Sequence, residues 1–228
     1  MPFRAIVSNV PGGTNMETIR RVVLSLSLAL FTPLSQATET APDALLSAVT
    51  AEVLAVLKQN READNPARLA ELVETRVLPL FDFSRMAQLA AARSWRLASS
   101  AQQSALTTEF RTLLVRTYST ALAVYRDRTI VYKPLRLVRG DTDVTVRSEV
   151  KQGGGQLKID YDMVKTPEGW KVYDVKMDGV SLVTAYREGF AAKVRDAGVD
   201  GLIKALAEKN RQGDSAARPA GAIAARSQ

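Results

Sequence analysis

The sequence predicts an α+β domain in which a four-stranded antiparallel sheet is covered on one face by helices. Apolar residues recur at a helical period over the first half of the chain and again near its end. Between Ile130 and Met177 the period changes to two, which is typical of strands with one buried and one wet face. Short turn sequences join these strands, so we expect them to pair as a meander.

The N-terminal residues have the order of a secretory signal peptide. The pair Arg20-Arg21 precedes an apolar run from Val22 to Phe31, and Ser35-Gln36-Ala37 supplies the small residues of a cleavage site. The apolar run is shorter than the about 20 residues that span a bilayer. We therefore expect residues 1–37 to be removed on export, and Met16 stands where the signal peptide itself would begin.

Two helical faces come first in the mature chain. Apolar residues from Leu45 to Leu57 fall on one face, and those from Leu69 to Leu80 repeat the pattern after a polar loop. Asp82 follows directly, where its carboxylate can cap a short helix through Leu89.

A long helix is predicted next, from Ala101 to Tyr125. Ser100 and Gln103 have the spacing of a capping box, which marks its start. Helical periodicity returns after the strands, in one stripe from Leu182 to Val194 and in a last helix from Asp200 to Asn210. These helices, with the earlier ones, would cover the apolar face of the sheet.

The strand-period segments alternate apolar and charged residues and are joined by turn sequences. Arg139-Gly140-Asp141 also spells an adhesion tripeptide, but between two strands Gly-Asp is a turn. The connections Gly153-Gly154-Gly155 and Pro167-Glu168-Gly169 are of the same kind. The predicted strands are Ile130–Val138, Asp143–Lys151, Gln156–Lys165 and Trp170–Met177.

The composition limits the chemistry of the chain. It contains no histidine and no cysteine, so it cannot build a Ser-His-Asp triad, a Cys–His pair or an ordinary zinc site. Asp160 and Asp162 are two residues apart, as a carboxylate pair would be, but they alternate with Ile159 and Tyr161 and so belong to a solvated face. Nucleophilic catalysis by a Ser-Lys pair and acid–base chemistry by carboxylates stay open on composition alone, but no other carboxylate pair and no metal-ligand spacing stands out. We predict no enzyme, no catalytic residue, no metal site and no cofactor, with a carboxylate-based hydrolase as an alternative.

A formal net charge of +7 indicates an anionic partner or a solvated basic surface. The basic residues are spread along the chain and are not interleaved with aromatic residues, so we do not expect nucleic-acid binding. One folded domain would occupy residues 38–210, and residues 211–228, which lack apolar bulk, would form a disordered tail.

Three stretches carry a resemblance to a known family. They are VLPLFDFSRMAQLAAARSW, SAQQSALTTEFRTLLVRTYSTALAVY and, most specific, WKVYDVKMDGVSLVTAYREGF from Trp170 to Phe190. In order and spacing, the segment from Val77 to Asn210 resembles the MlaC-type periplasmic phospholipid-binding proteins, also called the toluene-tolerance family. The chain departs from that pattern at Ala91-Ala92-Arg93, where the family more often has an apolar residue and glycine.

The resemblance implies a function and a set of partners. It implies a soluble periplasmic carrier that binds phospholipid acyl chains in an apolar cavity between the sheet and the helices. The carrier would shuttle lipid between an outer-membrane lipoprotein complex and an inner-membrane ABC transporter complex, and we expect it to be a monomer. A periplasmic chaperone that binds unfolded protein through the same groove is the alternative.

The cavity-lining residues follow from the resemblance, because periodicity alone is equally typical of a filled core. Lipid carriage implies that side chains from the long helix, the sheet and the start of the C-terminal helix line the cavity. These are Phe110, Leu114, Tyr118, Leu122, Val144, Val146, Leu157, Ile159, Tyr161, Val172, Val175 and Tyr186.

Overall fold

The computed structural model describes residues 40–59, 71–124, 128–152 and 155–212, with the side chains of these ranges except those of residues 59, 119–124 and 152. All of these residues belong to one compact unit. The predicted signal peptide, the polar loop before residue 67 and residues 213–228 of the predicted tail lie outside the described residues.

The sheet has five strands, not the four that were predicted, and each strand pairs antiparallel with its neighbours in chain order. The additional strand is joined by a tight turn in which Asp178 and Gly179 have φ of 46° and 82°. With two residues it is too short for any period to reveal. The strands are β1 (Thr129–Tyr132), β2 (Asp143–Gln152), β3 (Gly155–Thr166), β4 (Gly169–Met177) and β5 (Val180–Ser181).

The prediction that the first strand reaches Val138 is wrong. The last ladder bond beyond β1 runs from the Lys133 amide to the Arg147 carbonyl at 2.8 Å. Pro134 follows and has no amide hydrogen, so it cannot continue the ladder. Residues 133–142 therefore form a loop, which makes its turn at Gly140 with φ of 100°, as the Arg139-Gly140-Asp141 turn predicted.

Register places the apolar residues of the central strands on one face. Val146 lies opposite Tyr161, and Tyr161 lies opposite Val175 across the next pair of strands. Ser148 pairs with Ile159 on the same face, because side chains of directly paired residues point to the same side. The alternation in the sequence predicted this face.

The opposite face of the sheet differs from the prediction at Asp162. This side chain is 8% exposed, whereas a solvated position was expected. The Thr145 hydroxyl donates a hydrogen bond to its carboxylate at 2.8 Å, and the Lys176 ammonium pairs with it at 2.6 Å. These cross-strand neighbours cover the carboxylate, and the ion pair raises the pKa of Lys176.

Of the four α-helices among the described residues, the first three lie close to the predicted positions. Asp82 caps α2 as predicted, because its Oδ1 accepts a hydrogen bond from the Arg85 amide at 2.8 Å. Ala92, with φ of 49°, ends that helix. The helices are α1 (Pro42–Gln59), α2 (Phe83–Ala91), α3 (Ser100–Val124) and α4 (Arg187–Gln212).

The capping box of α3 lies one residue earlier than predicted. The Ser99 amide donates to Gln102 Oε1 at 2.9 Å, and the Gln102 amide donates to Ser99 Oγ at 3.3 Å. Gln103, which was assigned to this role, donates instead to the Trp95 carbonyl at 3.0 Å. Two adjacent Ser/Gln pairs have the same spacing, so the sequence could not distinguish them.

Several of the described segments depart from regular α-helix, among them the 3₁₀ helix Ala92–Leu97 that follows α2. Val73–Val77 is a π-helical turn and Leu78–Leu80 a 3₁₀ turn, after which Phe81 bridges to Val172 of β4. The C-terminal stripes were predicted as two helices; instead, the 3₁₀ helix Thr184–Tyr186 leads into α4, which is interrupted at Gly198 (φ 68°, ψ −176°). Residues 211 and 212 still belong to α4, so this helix ends two residues beyond the predicted Asn210.

The buried residues form two clusters. One lies among α2, α3 and α4, with Phe110 and Leu106 fully buried in it. The other lies on the apolar face of the sheet, where Val146, Met163 and Val172 pack with Leu46 of α1. Among the described residues, no helix combines the length and the hydropathy needed to cross a membrane.

Candidate functional site

A pocket of about 320 Å³ lies where the two clusters meet. Met86 and Leu114 of the helical cluster border it, and so does Leu46 of the sheet cluster. Its walls therefore come from both layers of the fold.

The helical layer supplies the larger share of the lining. The apolar stripe of α1 faces the pocket, as does the irregular segment that crosses to β4. The α1 residues are Leu46, Val49, Thr50, Val53, Leu54 and Leu57; those from the crossing segment through the start of α2 are Val73, Val77, Leu78, Leu80, Phe81, Phe83 and Met86.

The sheet supplies a second wall through residues that register places on its apolar face. Ile130, Tyr132, Ile159, Tyr161, Val175 and Met177 come from β1, β3 and β4. Leu114, Val115 and Tyr118 of α3, with Leu182 and Val183 after β5, complete the described lining. None of these described lining residues is charged.

A few hydroxyl groups are the polar side-chain atoms of the described lining, and one pair of them forms a hydrogen bond. The hydroxyls of Thr50 and Tyr132 lie 2.7 Å apart and share a hydrogen bond between α1 and β1. The Tyr132 ring stacks on Tyr161, with ring centroids 6.0 Å apart. Burial raises the pKa of Tyr132, which keeps the group a neutral hydrogen-bonding partner.

A second pair of tyrosines is buried without hydrogen-bond partners. The hydroxyls of Tyr118 and Tyr186 are both hidden from solvent and unpartnered. Burial raises the pKa of each tyrosine, and the neighbouring Tyr186 adds to the effect at Tyr118, so the two hydroxyls lie near each other. The Tyr186 ring packs edge-on against Phe110 at 5.2 Å.

Charged side chains sit beside the lining but not in it. Arg76 pairs with Glu52 of α1 at 3.0 Å, and Arg111 of α3 pairs with Glu74. The Arg111 guanidinium also lies 5.7 Å from the ring centroid of Phe83, which lines the pocket. No group of three acidic side chains that could hold a metal ion occurs among the described residues.

The residues proposed from sequence divide between pocket and packed core. Leu114, Tyr118, Ile159, Tyr161 and Val175 line the pocket. Most of the others are packed away from it: Phe110, Val146 and Val172 are fully buried in the clusters, Val144 and Tyr186 pack against them, and Leu157 is half-buried opposite Val150. The side chain of Leu122 lies outside the described residues.

Sequence reasoning missed the wall formed by α1 and the segment from Val73 to Phe83. The segment that carries the resemblance begins at Val77, so α1 lies before it and Val73–Phe83 overlaps only its start. The available signal is the apolar stripe of α1, since Leu46, Val53 and Leu57 fall on one helical face. That stripe predicts burial but does not say against what.

Comparisons with known proteins agree on one family. Residues 47–208 match the family described as MlaC protein. A toluene tolerance protein of Pseudomonas putida, Ttg2D, is 23% identical over 209 residues, covering 88% of this chain and 97% of that protein.

A solved structure is also similar to this chain. It is a phospholipid-binding protein from Ralstonia solanacearum in complex with a phospholipid, with a TM-score of 0.68 and 37% sequence identity. The match covers 76% of this chain and 99% of that one. Since the family match spans most of the chain and agrees with this structural likeness, the protein belongs to the MlaC family.

Proposed function

We propose that the protein is a periplasmic carrier that binds phospholipid acyl chains in the pocket between α1, the sheet and α3. The observation that carries this proposal is a lining of apolar side chains from both layers, without a charged group among the described residues. The structural neighbour that contains a phospholipid supports it. Each methylene moved from water into such a site gains about 0.8 kcal/mol, so two acyl chains are strongly held.

The charged groups beside the pocket suit the other end of a phospholipid. Arg76 and Arg111 are partly exposed and adjacent to lining residues, so either can pair with a headgroup phosphate that stays in water. Each arginine already has a glutamate partner, which a phosphate would have to displace or share. The acyl chains then occupy the apolar interior and the headgroup remains outside it.

The size of the pocket adds a condition. An engineered apolar cavity of about 150 Å³ holds one benzene ring, so about 320 Å³ holds roughly two rings. Two acyl chains are larger, and loading therefore requires the walls to separate. The sheet is fixed by its ladders, so α1, tied by the Thr50–Tyr132 hydrogen bond and the Glu52–Arg76 ion pair, is the wall we expect to move.

The proposal includes partners and direction. As a family member the protein would take up lipid from one membrane complex and deliver it to another, an outer-membrane lipoprotein complex and an inner-membrane ABC transporter complex. A bilayer and the pocket both remove the acyl chains from water, so transfer of a lipid between them is nearly neutral in free energy. Net direction would then come from the partners.

Native mass spectrometry of the protein purified gently from cells tests the proposal. We expect phospholipid bound in a fixed ratio to the chain, released by organic extraction. A chaperone using the same groove would instead carry mixed polypeptide and no stoichiometric lipid. Repeated lipid-free preparations that cannot be loaded with phospholipid would rule out the carrier function.

A further inference from the structure

The loop between β1 and β2, residues 133–142, exposes two adjacent apolar side chains. Val138 is 66% exposed and Leu137 39% exposed. Single exposed apolar residues are normal on a protein surface, but neighbouring ones at a loop tip are a candidate contact.

The loop is held in place, so this exposure does not come from a loose segment. The Leu135 amide donates to Asp43 Oδ2 at 3.0 Å, and the Leu135 side chain packs against the sheet cluster. The Val138 amide donates to Asp141 Oδ2 at 2.8 Å, and the Asp141 amide donates back to the Val138 carbonyl at 3.1 Å. Leu137 and Val138 are therefore displayed by an ordered turn.

Two arginines flank the exposed pair. Arg136 and Arg139 are both exposed, and the one acidic residue of the loop, Asp141, uses its carboxylate on the Val138 amide. Lys133 is paired with Glu149, but across the described part of the chain no carboxylate pairs with Arg136 or Arg139. The tip thus combines free positive charge with apolar surface.

The loop is continuous with the pocket wall. It begins directly after Tyr132, whose side chain lines the pocket, and Leu135 is tied to α1, which supplies another wall. A surface that engages this loop would therefore lie against the elements that enclose the pocket.

We propose that the loop is a docking site for an anionic lipid surface, in which Leu137 and Val138 enter the headgroup boundary and Arg136 and Arg139 pair with phosphates. Basic residues beside short apolar segments bind such surfaces weakly and reversibly. A stable protein interface needs about 1,000 Å² or more, which a two-residue apolar tip does not offer. Docking goes beyond lipid carriage, because it does not require a loaded pocket.

Cosedimentation with vesicles tests the proposal. We expect binding to vesicles of phosphatidylethanolamine and phosphatidylglycerol, weakened by salt, and little binding to phosphatidylcholine vesicles. The variant R136Q/R139Q should lose about fivefold in affinity for each arginine, and L137S/V138S should also bind less. The control R147Q/K151Q removes two exposed charges from the outer face of the sheet, and L97S removes a leucine that is 76% exposed; both should bind normally.

Three results would overturn the proposal. The wild-type protein could ignore anionic vesicles, or the control variants could lose as much binding as the loop variants. In the third result, the wild-type protein does not bind vesicles but binds an acidic protein surface through Arg136 and Arg139, so that the partner is a protein. Phospholipid content per chain, measured on the same variants, separates docking from carriage, because the loop variants should keep their bound lipid.

Discussion

Tryptophan at Ile159 or Val146 separates a pocket from a packed core, although both residues lie on the apolar face of the sheet. The sequence alone predicts the same outcome for the two tryptophan variants, which should fold normally and bind less lipid. The structure separates them, because Ile159 lines the pocket whereas Val146 is fully buried in the sheet cluster and does not line it. We therefore expect Ile159→Trp to fill space and Val146→Trp to strain the core.

The expected magnitudes follow from the volume of the pocket. Replacing isoleucine by tryptophan adds about as many heavy atoms as one benzene ring, which occupies a cavity of about 150 Å³. That is close to half of the about 320 Å³ available. The acyl carbons displaced are each worth about 0.8 kcal/mol, so lipid binding to Ile159→Trp should weaken by up to about 5 kcal/mol.

The stability of the two variants should move differently. Overpacking at Val146 costs typically about 1–3 kcal/mol, and each kcal/mol lowers Tm by about 2–4 °C in a domain of this size. Ile159→Trp in lipid-free protein should melt at the wild-type temperature or above. Melts must be compared after delipidation, because bound lipid stabilises the folded state by mass action.

The assay is lipid extraction and a thermal melt on the same samples, with Arg147→Ala as the control. Arg147 is exposed on the opposite face of the sheet, so its removal should change neither quantity. If delipidated Ile159→Trp melts well below Val146→Trp while its folded fraction keeps a full lipid load, Ile159 belongs to a solid core and the pocket assignment is wrong.

Three further predictions concern stability. Asp82→Ala removes the cap of α2 and should lower the unfolding free energy by about 1 kcal/mol in urea denaturation; an unchanged value would contradict the cap. Tyr132→Phe should cost about 1 kcal/mol through the lost Thr50 bond, whereas Tyr118→Phe, which removes an unpartnered hydroxyl, should be neutral or stabilising; equal losses would argue against this. Burial raises the pKa of Asp174 above its ordinary value of 3.8. The protonated Asp174 therefore contributes to folding stability below pH 3.8, and this contribution is lost as pH rises through the raised pKa. Over that pH range, the unfolding free energy of the wild type should fall relative to that of Asp174→Asn.

The sequence by itself determined which face of β2 is buried. Valines and charged residues alternate along β2, and a side-chain period of two leaves one assignment that buries the valines. Local chemistry was equally readable: Asp82 caps its helix, and Arg139-Gly140-Asp141 makes a turn because glycine accepts a φ of 100°. The family was predicted from the stretch Trp170–Phe190, and the family match confirms it.

The tertiary structure decided the two-residue strand β5 and the choice between two adjacent capping residues of α3. The strand Val180–Ser181 forms because β4 offers it an edge, which no two-residue pattern reveals. Ser99 rather than Ser100 caps α3, because Gln103 is drawn to the Trp95 carbonyl. In each case, the deciding partner lies outside the local pattern.

Only the tertiary structure decided which apolar residues pack and which line a pocket. Val146 and Ile159 have the same chemistry and share a face, yet the first is enclosed by Leu46, Met163 and Val172 and the second faces open space. A side-chain period of two predicts which residues share the apolar face of the sheet. The space between that face and α1 depends on how closely α1 approaches the sheet. That distance is set by contacts between residues far apart in the chain, such as Thr50 with Tyr132, so no local pattern encodes it.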